Sequence, residues 1–196
     1  MKTTNFLFSS LFVLLSFYNL AQNKTTVLHG VTFYSEIKLG ADNLVLNGGG
    51  LREKYFIDLY VGALFLQQKS KDASKILNAD APMVIQIKLV SNSVTREKFV
   101  ESVKEGFKNA SHGKATKEQI SKFISSFAGA FKKGDKINFE YLPNKGVAVE
   151  KNGTQLCVIE GLEFKKALFS IWLGNVPADS NLKEGMLGKE WFFTLL

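Results

Sequence analysis

Arg52 is the residue of this sequence whose type and position could do chemistry. The chain has 25 basic side chains, but its two arginines are Arg52 and Arg96, and Arg52 closely follows three consecutive glycines, Gly48–Gly50. A guanidinium is always ionised and offers a planar fork of donors that matches a carboxylate. We therefore predict that Arg52 binds the anionic or oxygenated head of a small molecule.

The three glycines suggest how Arg52 is aimed. Glycine adopts backbone dihedral angles that other residues avoid. We expect Gly48–Gly50 to close one short strand and to direct Arg52 to the mouth of the next. The alternatives are a surface arginine after a loop and an arginine paired with Glu53 or Asp58.

Arg52 also begins a long apolar segment, REKYFIDLYVGALFLQ, in which both alternating faces are largely apolar. This pattern predicts a central strand that is covered on both sides. Tyr60 follows Arg52 by eight residues, so in one unbroken strand the two would lie roughly 26 Å apart at 3.3 Å per residue. Their convergence requires a bend or bulge after the glycines.

The remaining elements predict an α+β domain. Short strands precede the glycines, a helix capped by Asp72 follows the long strand, and PMVIQIKLV predicts another strand. Helices are predicted for SVTREKFVESVKEGFKNA, for Thr116 to Gly134 with a capping box, for LEFKKALFSIWLG and for DSNLKEGML. An antiparallel meander with a turn at Asn152-Gly153 lies between the second and third of these helices. This order favours an antiparallel sheet with helices on one face.

The first 21 residues have the layout of a secretory signal peptide. Lys2 precedes an apolar run from about Phe6 to Phe17, and the small residue Ala21 follows. A transmembrane anchor is the alternative, but a span needs about 20 apolar residues, and serines interrupt this shorter run. We predict cleavage near Ala21, export to the periplasm or out of the cell, and one domain over residues 22–196.

The charge pattern argues against nucleic acid as a partner. The formal net charge is +7, but the lysines are spread along the whole chain and the arginines that would bind phosphates in a bidentate manner are nearly absent. A solvated, lysine-rich surface explains the charge. Any membrane contact is expected to be peripheral.

Most signatures of metal, cofactor and enzyme sites are absent from the sequence. The glycines lead into a strand, whereas phosphate-binding and dinucleotide-binding loops lead into a helix. His29, His112 and Cys157 are too far apart in the sequence to suggest a metal site or a catalytic cysteine. As the single cysteine, Cys157 cannot form an intramolecular disulfide. We expect no metal and no cofactor.

Two segments resemble the chalcone isomerase-like family. LNGGGLREKYFIDLYVGALFL is similar to the family's Gly-x-Gly-x-Arg element and its following strand. KKALFSIWLGNVPADSNLKEGMLG is similar to its closing helix, Pro-containing loop and final Leu-Gly. With PMVIQIKLVSNSVTREKFVESVKEG as the central strand and helix, the resemblance covers about Val31 to Gly188. It implies an open-faced β-sandwich, in which helices cover one face of a large antiparallel sheet.

The resemblance also implies roles for individual residues. Arg52 matches the family's active-site arginine, which steadies a developing anion in plant chalcone isomerases and meets the carboxylate in plastid fatty-acid-binding members. Tyr60 falls where the isomerases have Thr and the fatty-acid binders have Tyr, which favours a binder. Thr95 falls on the isomerases' catalytic tyrosine and lacks its phenol. The other ligand-binding positions implied by the resemblance are Lys98, Ser102 and Ser170.

Three functions follow from these observations. The first is an exported bacterial binding domain without catalysis, holding a small apolar ligand with an anionic head, such as a fatty acid, between sheet and helices. The second is an isomerase or intramolecular lyase that uses Arg52 as an electrophilic stabiliser. The third is a structural envelope protein whose core is filled.

Overall fold

The computed structural model describes residues 24–189, which form nine strands and five helices. The predicted signal peptide, residues 1–21, lies outside the described residues. The strands are β1 (Thr25–Leu28), β2 (Val31–Tyr34), β3 (Glu36–Leu39), β4 (Asp42–Lys54), β5 (Ile57–Leu66), β6 (Met83–Leu89), β7 (Lys136–Leu142), β8 (Gly146–Lys151) and β9 (Thr154–Ile159). The helices are α1 (Ala73–Asn78), α2 (Arg96–Lys108), α3 (Lys117–Ser126), α4 (Leu162–Leu173) and α5 (Ser180–Met186).

Strands β3 to β9 form one antiparallel sheet in which every strand pairs with its neighbour in the chain. The α+β prediction is therefore confirmed. The helices lie between consecutive strands of the sheet or follow the last strand. In the part of the chain that the structure describes, no helix is long and apolar enough to cross a membrane.

Strand β5 is buried on both faces, as its alternating pattern predicts. Tyr60, Leu64 and Leu66 join the larger core beneath the helices. Val61, Ala63 and Phe65 join a second core on the opposite face. The β1–β2 hairpin covers this second core with Phe33, Leu28 and Val31. The sheet therefore has a helical layer on one face and a small hairpin on the other.

The prediction of one unbroken strand from Arg52 onwards is wrong. The glycines lie inside β4, which continues to Lys54, and β5 starts only at Ile57. Tyr55 and Phe56 form the turn between them, with left-handed φ angles of 55° and 60°. Two left-handed residues define the tight hairpin turn that matches the twist of antiparallel strands. The Asn152-Gly153 turn, which was predicted, joins β8 to β9 in the same way, with φ angles of 52° and 83°.

The three glycines serve packing rather than unusual backbone geometry. None of Gly48, Gly49 and Gly50 has a positive φ. A Cβ atom on Gly48 would lie 2.2 Å from the carbonyl oxygen of Gly185, and one on Gly50 would lie 2.9 Å from Cα of Leu182. Helix α5 thus packs directly on the backbone of β4, and the expectation that the glycines aim Arg52 by their dihedral angles is wrong.

The predicted helix caps are present. Asp72 caps α1, and Thr116 forms the capping box of α3 with Gln119. Helix α3 ends at Ser126, however, and not at Gly134 as predicted. The hydroxyls of Ser125 and Ser126 donate to carbonyls three residues earlier, a local bonding pattern that competes with helix continuation.

Candidate functional site

The β4–β5 hairpin brings Arg52 directly opposite Tyr60. The two are register partners in the antiparallel ladder, and a bulge follows between Arg52 and Glu53. Nη1 of Arg52 lies 3.4 Å from the Tyr60 hydroxyl, and its guanidinium carbon lies 5.5 Å from the centre of the Tyr60 ring. The 26 Å separation expected for a single strand does not apply, because the two residues lie on adjacent strands.

Trp172 connects this pair to the helical layer. Its indole Nε1 donates a hydrogen bond of 2.9 Å to the Tyr60 hydroxyl, and both side chains are buried. Sequence patterns did not reveal this polar contact of Trp172. The available signal was chemical, since a buried indole N–H nearly always has an acceptor.

The Arg52–Tyr60 pair has more donors than acceptors. The Tyr60 hydroxyl accepts from both Trp172 and Arg52, and no hydrogen bond among residues 24–189 uses its own proton. Nε of Arg52 is buried and has no acceptor among the same residues. An arrangement of unmatched donors around a permanent positive charge suits an anion.

The alternative in which Arg52 is paired with a neighbouring carboxylate does not hold for the described residues. The ion pairs found there are Lys151–Asp135, Lys166–Glu163 and Lys189–Glu184, and none of them involves Arg52. Glu53 and Asp58 are exposed at the end of the hairpin. The positive charge of Arg52 is therefore not neutralised by a described side chain within 4.0 Å.

A narrow cavity lies between the sheet and helices α2 and α4, and Arg52 and Tyr60 line it. Its other walls are mostly apolar and include Phe99, Val103 and Trp172. The interior space is about 20 Å³, which is enough for about one water molecule. A wider cleft of about 230 Å³ adjoins it, and both are lined by Arg52 and Ser102.

The other predicted ligand contacts are distributed differently. Ser102 lines both cavities with Arg52. Thr95 is exposed and caps α2 by accepting from the backbone N–H of Lys98. Lys98 is exposed and its ammonium donates to the carbonyl of Ser93. Ser170 is buried and its hydroxyl donates to the carbonyl of His112 at 3.5 Å. The structure thus brings together Arg52, Tyr60 and Ser102, but not Thr95, Lys98 or Ser170.

A second buried cation lies at the other end of the helical layer. Lys165 is completely buried, and its ammonium donates to the carbonyls of Ile76, Leu77 and Ala79 at the end of α1. Burial, with a smaller effect from Lys166, lowers the pKa of Lys165 to about 8. Because all of its protons have acceptors, Lys165 acts as a structural cap. Sequence patterns did not reveal it, since lysines are usually exposed.

Residues 24–189 contain no cluster of three or more His, Cys, Asp or Glu side chains that could hold a metal ion. Cys157 is half-buried and has no disulfide partner. The donors of Arg52 and Tyr60 form an arrangement that can recognise an anion.

Comparisons with known proteins give the family. A fatty-acid-binding protein from Arabidopsis thaliana has a similar fold, with a TM-score of 0.68 and 21% sequence identity, and the match covers 84% of this chain and 96% of that one. No curated protein matches the sequence. The sequence profile described as chalcone isomerase-like matches residues 25–188. The chain belongs to the chalcone isomerase-like family.

Proposed function

We propose that this protein binds a small apolar molecule with an anionic head group, and that Arg52 and Tyr60 contact the head. The observation that carries the proposal is the set of unmatched donors on these two residues, at the edge of an apolar cavity. A buried donor without an acceptor costs about 1–3 kcal/mol. A carboxylate at this position would accept from Arg52 Nε and from the Tyr60 hydroxyl, and would remove that cost.

A fatty acid is the ligand to test first. Its carboxylate matches the donor set, and its chain matches the apolar walls contributed by β6, α2, β7 and α4. The Arabidopsis protein of similar fold is a fatty-acid-binding protein. This similarity supports the choice of probe, while the contact with Arg52 is argued from the geometry of this chain.

The small volume of the inner cavity requires that the protein opens to accept an acyl chain. The wider cleft beside Arg52 has about 230 Å³. The inner cavity of about 20 Å³ is too small for a hydrocarbon chain. We propose that α2 moves away from the sheet when ligand enters, because α2 supplies Phe99, Ser102 and Val103 to the lining.

Native mass spectrometry of the purified protein, before and after incubation with dodecanoic acid, tests this function. The wild type is expected to carry one fatty acid per chain. Arg52→Gln, which removes the charge and the donor fork, is expected to weaken binding by about tenfold or more. Arg96→Gln is the matched control, because Arg96 donates to the carbonyl of Phe127 and does not line the cavity. Equal binding by wild type and Arg52→Gln would exclude Arg52 as the anchor.

We also propose that the protein is exported and cleaved near Ala21. The support is the sequence of residues 1–21, with Lys2, an apolar run and Ala21 in the order of a signal peptide. The intact mass of the protein from the periplasm and the culture medium tests this proposal. A protein that keeps residues 1–21 and stays in the cell would contradict it.

A further inference from the structure

The turn between β4 and β5 is formed by Tyr55 and Phe56, two residue types that are unfavourable in this kind of turn. Tyr55 and Phe56 are both left-handed, and this conformation is unfavourable for residues with a Cβ atom. Such hairpin turns favour Asn-Gly. The same chain has Asn152-Gly153 at its β8–β9 turn, with similar φ angles. Two aromatic residues at the β4–β5 turn therefore reduce the stability of the hairpin.

Burial does not explain these side chains either. Phe56 is 99% exposed, Tyr55 is 82% exposed and Ile57, which follows them, is 45% exposed. We call Tyr55–Ile57 the hairpin tip. Large apolar side chains that are exposed together, at a cost in backbone strain, indicate a contact with something outside the molecule.

The hairpin tip lies next to the mouth of the Arg52 cleft. Lys54, the residue before the tip, lines this cleft together with Arg52 and Val176. Val176 is itself 60% exposed. An apolar molecule that enters or leaves the cleft here would pass the exposed side chains of the tip, so the tip is in the right place to contact the source of that molecule.

The chemistry of the hairpin tip fits the surface of a lipid bilayer. Tyrosine and phenylalanine partition into the interfacial layer of a membrane. The ammonium of Lys54 lies 5.4 Å from the centre of the Tyr55 ring and suits a phosphate head group. Glu53 and Asp58 face each other across the hairpin and oppose this attraction locally. The attraction to acidic lipid must therefore come from the net charge of the whole molecule, which is +7 for the full chain and +6 once Lys2 is lost by cleavage near Ala21.

We propose that the hairpin tip inserts into the surface of a bilayer that contains acidic phospholipids, and that this contact places the mouth of the Arg52 cleft against the membrane. The transfer of ligand rests on the proposed function, whereas the binding of the tip to lipid does not. Bilayer binding and fatty-acid binding can therefore be measured separately on the same protein.

Sedimentation with vesicles tests the proposal. The vesicles are an equimolar mixture of phosphatidylcholine and phosphatidylglycerol, and the probe variant is Tyr55→Asn/Phe56→Gly, which copies the β8–β9 turn. The variant is expected to bind vesicles about tenfold or more weakly than the wild type, because it loses two interfacial aromatic side chains. Its melting temperature is expected to rise, since Asn-Gly fits the turn. Loss of binding with raised stability cannot be attributed to misfolding.

Two further variants separate the possible outcomes. Tyr34→Ser is the control, because it removes an aromatic side chain that is 54% exposed but lies away from the hairpin tip. The carbonyl of the neighbouring Ser35 accepts from Leu46 of β4, on the far side of the glycines from the tip. This variant is expected to bind vesicles like the wild type. Arg52→Gln is expected to lose fatty acid but to sediment with vesicles, which would show that the tip binds the bilayer independently of the ligand. The proposal is overturned if the wild type does not sediment with vesicles or if the tip variant sediments equally well. It is also overturned if gel filtration shows that the tip joins two copies of the chain into a dimer and that the variant only converts this dimer to a monomer.

Discussion

The hydroxyl of Tyr60 is the point at which the sheet, the helical layer and the candidate ligand site meet. It accepts from Trp172 on α4 and from Arg52 on β4, and its own proton remains for a ligand. The same hydroxyl therefore satisfies a buried indole and orients the candidate site. Lys165, by contrast, only satisfies buried backbone groups, because its three carbonyl acceptors use all of its protons.

Tyr60→Phe separates these two tasks. The variant keeps the ring but leaves Nε1 of Trp172 without its acceptor, so we expect the free energy of unfolding to fall by about 1–3 kcal/mol. Urea denaturation measures this loss. The affinity for dodecanoic acid should fall as well, since the donor to the head group is lost. Unchanged stability would mean that the hydrogen bond from Trp172 contributes little.

The lowered pKa of Lys165 should make the free energy of unfolding depend on pH. Its pKa is about 8 in the folded protein and 10.5 ordinarily, so between these values the unfolded chain binds more protons than the folded one. The contribution of Lys165 to stability therefore increases as pH rises through this window. The ammonium of Lys165 lies near Asp80, Lys166 and the ring of Tyr141. Burial and the hydrogen bond to Asp80 raise the pKa of Tyr141. Above pH 10 the unfolded tyrosine therefore loses its proton before the folded one does, and this lowers stability and opposes the gain from Lys165.

Urea denaturation of the wild type and of Lys165→Met, from pH 8 towards pH 10, checks this prediction. The variant should be less stable throughout, because three carbonyls at the end of α1 lose their donor. The difference between the two proteins should increase with pH. A difference that decreases as pH rises would contradict the lowered pKa.

At the scale of elements, the contact between α5 and the β4–β5 hairpin defines the position of the candidate site. Gly48, Gly50 and Gly185 allow the helix to approach the strand backbone. Asn47, at the bulge before the glycines, donates to the carbonyls of Ser70 and Met186 and so ties the end of α5 to β4. Because β4 carries Arg52, the glycine run holds the strand that presents the arginine.

Gly48→Ala tests this role. A methyl group would meet the backbone of Gly185, which cannot move without displacing α5, so we expect a loss of about 1–3 kcal/mol in thermal or urea unfolding. Gly129→Ala is the matched control. Gly129 has no atom within 4 Å of the added methyl position and no positive φ, so its effect should stay within about 0.5 kcal/mol. Equal effects at the two positions would contradict the packing argument.

At the scale of the whole molecule, the aromatic core narrows the candidate site. The Phe99 ring lines the cavity and packs edge-on against Phe127 and Phe131, with ring centres 4.8 and 4.9 Å apart. Under the proposed function, ligand entry would break contacts of this kind. The free energy of opening is therefore part of the apparent affinity.

Phe99→Ala should expose this coupling. The variant is expected to lose about 3 kcal/mol of stability but to bind dodecanoic acid more tightly, because space for the chain is already open. Phe107→Ala is the matched control, since Phe107 packs against Phe123 and Phe164 and does not line the cavity. It should lose stability without gaining affinity. Titration with dodecanoic acid followed by native mass spectrometry measures the affinity of each variant, and urea denaturation measures its stability. Equal loss of affinity in the two variants would exclude the opening of α2.

Local patterns in the sequence were sufficient for the α+β class, the caps at Asp72 and Thr116, the Asn152-Gly153 turn and the two buried faces of β5. Each depends on residues that are close together in the chain. The scarcity of arginine and the resemblance to the family both pointed to Arg52. Only the tertiary structure placed Arg52 opposite Tyr60, because Tyr55-Phe56 carries no turn signal and the hairpin is held by pairing along β4 and β5. Likewise, the packing role of the glycines and the narrow cavity depend on contacts with α5, α2 and α4, which lie far away in the sequence.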